Sequence, residues 1–450
     1  MTRCILLAAA LLAPVVSCGG GGGEPEQTKD PGRRGPNVVL LIIDTLRADH
    51  LHCYGYSRSI TPTLDSLAAE GTMWAYCQGQ AAWTLPAIAT IFSGLPERAH
   101  LAGMRDDRLY GLDPELDVLP ELLGRRGWET VGVYNVPVMG PGYGFDQGMD
   151  HVDTEGCRLA VDADVINAKF LQWLDDGWSG EAPFLAVLHY FDPHYPYDPP
   201  APYDGMFTPA GHPSTHWATA PTRMLLNANR LGRLEEEDYR RLEDLYDGEV
   251  AFCDAEIGKM LAELRRRGLA EGTVIIAMAD HGEEFREHGG LLHGFSLYRE
   301  QTRVPLLISG PGFRGGGLDS TVVSQMDILP TVLEAAGVEE SGPWDDWGVS
   351  LMGEPVEDRV LPSSGFASSD LGTYLTVRQG ERRLFWDHAE DRAVLFDLAA
   401  DPMEQESLPP DSALLEQAML YWATPAEVLP AEVPGTQARV EVLRDLGYCR

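Results

Sequence analysis

The sequence predicts an α/β fold: a mainly parallel sheet with helices on both faces, then a small C-terminal α+β subdomain with an antiparallel sheet. Two observations carry this. Continuous apolar, β-branched runs recur along the chain and alternate with helical periodicity, as buried parallel strands do. From about residue 365 the pattern changes to short alternating runs separated by turn residues.

The first strand is NVVLLII (37–43), ending in Asp44. SITPTLDSLAAEG (59–71) reads as a helix, with Thr61 as cap, Pro62 in the first turn and Gly71 as stop. AAWTLPAIATIFSG (81–94) starts a second helix near Thr84 and stops it at Gly94. Leu119–Gly127 and Thr130–Tyr134 read as helix then strand, and PFLAVLHYF (183–191) as another buried strand. A long helical region (233–268) leads to the strand TVIIAMA (273–279). VPLLISG (304–310) is a further strand, MDILPTVLEAAG (326–337) a helix, and 411–422 a terminal helix.

Composition narrows the function. With 450 residues, 44% of them hydrophobic, the chain can bury one large core and a smaller one. A net charge of −35, with only Lys29, Lys169 and Lys259 as lysines, repels nucleic acid and anionic lipid headgroups. An anionic small substrate is still allowed, because a metal or a few arginines reverse the field locally.

Residues 1–18, MTRCILLAAALLAPVVSC, have the basic start and short apolar run of a secretory signal, and Val15–Cys18 resembles a bacterial lipobox. The expectation is lipidation at Cys18, a flexible Gly-rich tether over 19–35, a catalytic domain over 36–364 and a subdomain over 365–450. The protein would then be tethered to a bilayer in the bacterial periplasm or at the cell surface. Spacing assigns no disulfide among the remaining cysteines, and there is no CxxC pair.

Strand C-termini in a parallel sheet converge on one face, where ligands bind. Asp44 ends the first strand, Asp192-Pro193-His194 follows another, and Asp280-His281-Gly282-Glu283-Glu284 follows a third. Asp44, Asp280 and His281 can therefore meet across more than two hundred residues. Two carboxylates and an imidazole suit a divalent cation, and the Thr84 hydroxyl supplies a fourth donor. Taken singly, each of these residues is better read as a helix cap or a hydrogen-bonded turn; their joint pattern is what points to a cation.

The chain resembles the sulfatase family of the alkaline phosphatase superfamily from about residue 36 to 405. The matching stretches include PNVVLLIIDTLRADHLHCYGY (36–56), WTLPAIATIFSGLPERAH (83–100), YFDPHYPYDPP (190–200) and MADHGEEFREHGGLLHGFSLYREQTRVPLLISGPG (278–312). The resemblance implies an alkaline-phosphatase-like fold, with Asp44, Asp280 and His281 as metal ligands. It places Thr84 at the nucleophile position, where family members carry a cysteine matured to formylglycine. It also implies His194 as the acid that protonates the leaving oxygen, and His293 and Asn135 as substrate-binding residues. His189 and His288 are weaker candidates, read as structural.

Departures from the family pattern sharpen the expectation. Thr84 cannot become formylglycine, Ile88 takes the place of the motif's arginine, and Thr45 follows Asp44 where a second carboxylate is frequent. His281 stands in place of asparagine. The donor set thus gains nitrogen, favouring one Zn²⁺ or Mn²⁺ over Ca²⁺, with a second metal left unassigned. The expected reaction is hydrolysis of a sulfate or phosphate ester through a metal-activated Thr84. Two alternatives remain at this stage: a phosphoethanolamine- or phosphoglycerol-type transferase, and a non-catalytic binding protein on a sulfatase scaffold.

Overall fold

A computed structural model describes residues 35–105, 108–155, 162–207, 215–313, 315, 317–365, 374–428 and 431–446. Cys18, the signal segment and residues 19–34 of the tether lie outside the described residues. Gly35–Arg450 cluster as one compact unit.

The central sheet contains β1 (Asn37–Ile43), β2 (Thr72–Gln78), β3 (Glu129–Val133), β4 (His151–Asp153), β5 (Phe184–Tyr190), β6 (Thr273–Met278), β7 (Arg303–Val304), β8 (Leu306–Ser309) and β9 (Leu318–Ser324). Its order is β7-β2-β8-β6-β1-β5-β3-β4, with β9 also pairing with β2. The pairs β1/β5, β1/β6, β3/β5, β3/β4 and β9/β2 are parallel. β8 runs antiparallel to both of its neighbours, so the sheet is mixed but mainly parallel. Every residue of β5 and β6 is buried, which for alternating side chains means that both faces are covered.

Helices α1 (Pro62–Glu70), α2 (Thr84–Ser93), α3 (Leu119–Gly124), α4 (Ala163–Asp176), α5 (Glu236–Arg266) and α6 (Ile328–Ala336) accompany this sheet. A second sheet runs β10 (Leu361–Ser364), β11 (Tyr374–Gln379), β12 (Arg382–Asp387) and β13 (Arg392–Asp397), all antiparallel. Helix α7 (Ser412–Trp422) packs its Leu414, Ala418 and Tyr421 onto that sheet's Leu375, Val377, Leu384 and Trp386.

Three local details differ from the sequence reading. The strand β2 was not expected; it leaves α1 directly after Gly71, with no connecting turn to announce it. Thr61 does not cap α1. Its hydroxyl instead donates to Asp65 at 3.2 Å, while Asp254 of α5 accepts from the Thr63 and Leu64 amides at 3.0 and 2.9 Å. A carboxylate borrowed from another helix does the capping, and also suits the positive end of the dipole. The expected helices over 119–127 and 233–268 end earlier, at Gly124 and Arg266.

Register is what positions the site. Ile42 pairs with His189 on one side and Met278 on the other. Asp44 and Asp280, each two residues further on, therefore leave the sheet level with one another, with His189 on the strand flanking Asp44 from the other side.

Candidate metal centre

Asp44 emerges from β1 with its amide donating to Tyr190 O at 2.9 Å, extending the strand pairing by one step. The next residue, Thr45, adopts φ +57°, a left-handed conformation costly for a β-branched side chain. Tyr246 of α5 secures this turn: its hydroxyl donates to Thr45 O and accepts from the Arg47 amide, both at 2.9 Å.

Asp280 and His281 follow β6. Asp280 Oδ1 accepts from the His281 amide at 2.8 Å and the Thr45 amide at 3.4 Å. Gln325 holds the turn from behind, its side-chain amide donating to Asp280 O at 2.6 Å and its oxygen accepting from the Gln80 amide at 2.9 Å. His281 Nδ1 lies 3.0 Å from Gly282 O, so Nδ1 carries the proton and Nε2 a lone pair. That Nε2 lies 3.5 Å from Asp44 Oδ1, 3.4 Å from Asp280 Oδ2 and 3.3 Å from Thr84 Oγ1.

The structure thus brings Asp44, Asp280, His281 and Thr84 together, all fully buried. Thr84 is the first residue of α2, whose preceding N-cap position is held by Trp83. Gly94 ends that helix at φ +68°. The hydroxyl therefore faces the cluster from a helix N-terminus, where the dipole favours negative charge.

The donor atoms suit a cation. One atom each from Asp44, Asp280 and His281 lie within 4.8 Å of one another. Both Asp44 oxygens and Asp280 Oδ2 are buried without a hydrogen-bond partner among the described residues. Burial, together with the Asp280 and Glu283 charges, pushes the Asp44 carboxyl well above its ordinary range, and burial raises Asp280 as well. Burial also brings His281 down to about 4, so its imidazole stays neutral and able to ligate. Buried carboxylates without donors are costly unless a counter-ion meets them.

Three further imidazoles surround the cluster. His293 packs with its ring centroid 4.4 Å from that of His281 and 4.8 Å from that of His194. Its Nδ1 lies 2.8 Å from Glu283 Oε1, while Tyr197 donates to Glu283 Oε2 at 2.9 Å. His194 Nδ1 lies 2.5 Å from Tyr195 O, so this nitrogen carries a proton. Burial and the neighbouring His293 hold His194 well below its ordinary value. Asn135 is buried, with Oδ1 3.0 Å from His189 Nδ1. His288 lies elsewhere, stacked on Tyr298 at 3.6 Å and paired with Glu300 at 2.8 Å.

The sequence reading missed Glu283, Tyr197, Tyr246 and Gln325. Glu283 stands two residues beyond His281 in the same turn, and that adjacency was the available signal. The others reach the site from distant segments and carry no local mark.

A sulfatase family model matches residues 36–338. The chain belongs to the sulfatase family. Family members are ester hydrolases, and a metal-dependent family accords with the cluster described above. This sulfatase-family chain is 27% identical to choline-sulfatase of Rhizobium meliloti (strain 1021) over 80% of its length and 75% of the relative's. It is 25% identical to human arylsulfatase K, covering 88% and 82% of the two chains. Among solved structures, phosphonate monoester hydrolase of Agrobacterium radiobacter superposes with a TM-score of 0.68 at 21% identity, over 86% of this chain and 94% of that one. BT4656, solved with its substrate D-glucosamine-2-N,6-O-disulfate, gives 0.69 at 18% identity, over 92% and 98%. These superpositions establish the alkaline-phosphatase-like fold.

Proposed function

We propose that this sulfatase-family hydrolase cleaves a sulfate or phosphate-type ester by attack of Thr84. One observation carries the reading. The Thr84 hydroxyl lies 3.3 Å from His281 Nε2, in a buried cluster with Asp44 and Asp280, at the first residue of a helix.

Asp44, Asp280 and His281 would hold one divalent cation, with Zn²⁺ or Mn²⁺ favoured by the nitrogen donor. A bound cation supplies positive charge that lowers the hydroxyl's pKa and offsets charge developing on the transferred group. Thr84 Oγ gives its proton to water and forms the new bond to sulfur or phosphorus as the bond to the leaving oxygen breaks in line. The α2 N-terminus stabilises the growing negative charge. His293 contacts the transferred group. His194 is neutral in the empty site, and an anionic ester placed against it raises its proton affinity, so it delivers a proton to the leaving oxygen. Water then attacks the threonyl ester and regenerates the hydroxyl, since threonine cannot eject its ester by forming an aldehyde.

The substrates named for the relatives, choline sulfate-type and aryl or sugar sulfates together with phosphonate monoesters, define the panel to test. We also propose export and lipid anchoring at Cys18, which palmitate labelling of wild type against Cys18→Ala would test. For the reaction, turnover of sulfate monoesters, phosphate monoesters and phosphonate esters is measured on wild type, Thr84→Ser and Thr84→Ala. Thr84→Ala and chelation should each abolish activity, with Thr84→Ser retaining a measurable fraction. Full activity in Thr84→Ala would reject the mechanism.

A further inference from the structure

His189 lies at the C-terminal end of β5, fully buried, beside the cluster but outside its tightest group. Its Nδ1 is 3.0 Å from Asn135 Oδ1, an oxygen that can only accept, so Nδ1 carries the hydrogen. Nε2 is then a lone pair. It points at Asp44 Oδ2, 3.9 Å away, and that oxygen is also an acceptor. Neither atom has a hydrogen-bond partner among the described residues, and both are buried.

Two acceptors facing each other in a dry interior repel unless something positive lies between them. A separation of 3.9 Å is too long for a direct hydrogen bond. Two donors of one tetrahedral Zn²⁺, with bonds of about 2.1 Å, stand about 3.4 Å apart, so the pair lies within about 0.5 Å of the spacing for a shared ion. The carboxylate divides its oxygens accordingly: Oδ1 approaches His281 at 3.5 Å and Oδ2 approaches His189 at 3.9 Å. Asn135 behind the ring supplies the outer hydrogen bond that metal-ligating histidines use to fix tautomer and orientation.

We infer that Asp44 Oδ2 and His189 Nε2 together hold a divalent cation, making His189 a metal ligand oriented by Asn135. This rests on the reading that the Asp44 cluster binds metal, and it adds a donor from the middle of the sheet.

The test uses full-length protein stripped with chelator, then titrated with Zn²⁺ and with Mn²⁺ by calorimetry. Wild type, His189→Gln, His189→Ala and Asn135→Ala are compared. Both His189 variants should lose at least about 10-fold in affinity, or one ion in stoichiometry, and Asn135→Ala should lose less. Co²⁺ substitution gives a second readout, as the visible absorption band should change shape and intensity in His189→Gln. Thermal melts of the chelated variants separate loss of a ligand from loss of the fold. Unchanged affinity, stoichiometry and Co²⁺ spectrum in a folded His189→Gln would overturn the inference and leave only a bridging water at that position. Wild type binding no metal would overturn the metal reading as well.

Discussion

Glu283 Oε1 and His293 Nδ1 lie 2.8 Å apart, both buried, and share one proton. Burial pushes the Glu283 carboxyl up to about 8 and brings His293 down to about 3. In the metal-free chain at neutral pH the proton therefore sits on Glu283, which donates to Nδ1. His293 keeps its own hydrogen on Nε2, the nitrogen not engaged by Glu283. A neutral imidazole is thereby turned into a hydrogen-bond donor.

Glu283→Gln should preserve that tautomer, because its amide N–H also donates to Nδ1. Activity should fall only several-fold. Glu283→Leu leaves Tyr197 and His293 without their partner, costing about 1–3 kcal/mol for each buried group, and should lower kcat/KM by about 10²-fold. Imidazole ¹⁵N shifts of the chelated protein report the tautomer directly. Equal spectra and equal activity in the two variants would show that Glu283 does not orient the ring.

The Thr45 turn yields a second expectation. Its left-handed backbone is held by the Tyr246 hydroxyl, which satisfies Thr45 O and the Arg47 amide at once. Tyr246→Phe leaves both backbone groups buried and unpaired, a loss of about 1–3 kcal/mol. Urea unfolding measures that loss. Because Asp44 adjoins this turn, cation affinity should weaken in the same variant. Thr45→Gly, which relieves the positive φ, should not reproduce the stability loss.

The sheet and the meeting of Asp44, Asp280 and His281 were legible in the sequence for a physical reason. Buried parallel strands demand unbroken apolar runs, and ligands must follow them, so Asp44, Asp280 and His281 stood at visible boundaries. The strand β2 was illegible because TMWAYCQ mixes aromatic, polar and small residues, and pairing with three neighbours rather than periodicity makes it a strand. Asp254 capping α1 and Tyr246 holding the Thr45 turn were equally hidden. Each acts across about 190–200 residues, where no local pattern records the contact. His189 read as structural because it sits inside an apolar strand, and only the register with Ile42 brings it beside Asp44.

Stability should depend on pH with opposite sign in the chelated and metal-loaded protein. Glu283 rises from an ordinary 4.5 to about 8, and Asp44 and Asp280 are raised with it. Between about pH 4.5 and 8 the unfolded chain has released the Glu283 proton while the folded chain retains it. At Glu283 the unfolded state binds fewer protons, so that group's contribution to folding stability falls as pH rises through this window. A cation removes the need for those protons at Asp44 and Asp280, and it competes better as proton concentration drops. Below about pH 7 the buried His189, His194, His281 and His293, neutral when folded and charged when unfolded, oppose this trend. Thermal melts compared from pH 7 to 8 should therefore fall with excess chelator and rise with Zn²⁺ or Mn²⁺. Parallel trends under both conditions would contradict a cation at these carboxylates.

The small sheet is tied to the loop beyond His293 by a wholly buried ion pair. Arg383 Nη1 donates to Glu404 Oε1 at 2.7 Å, and Arg383 Nη2 reaches Leu297 O at 2.5 Å and Thr302 Oγ1 at 2.7 Å. Glu404 Oε2 accepts from the Arg299 amide at 2.8 Å, so the 297–302 segment meets both charges, although Arg383 Nε is buried without a partner among the described residues. Removing one partner strands the other charge out of water. Arg383→Met should therefore cost about 3–5 kcal/mol in urea unfolding, and Glu404→Leu a similar amount. The double variant removes both charges and should recover most of that loss, apart from the hydrogen bonds to Leu297, Thr302 and Arg299. Since 297–302 follows His293 closely in the chain, the single variants should also lower kcat/KM, and the double variant should restore part of it. Additive losses in the double variant would mean that the two side chains stabilise the fold independently rather than as a pair.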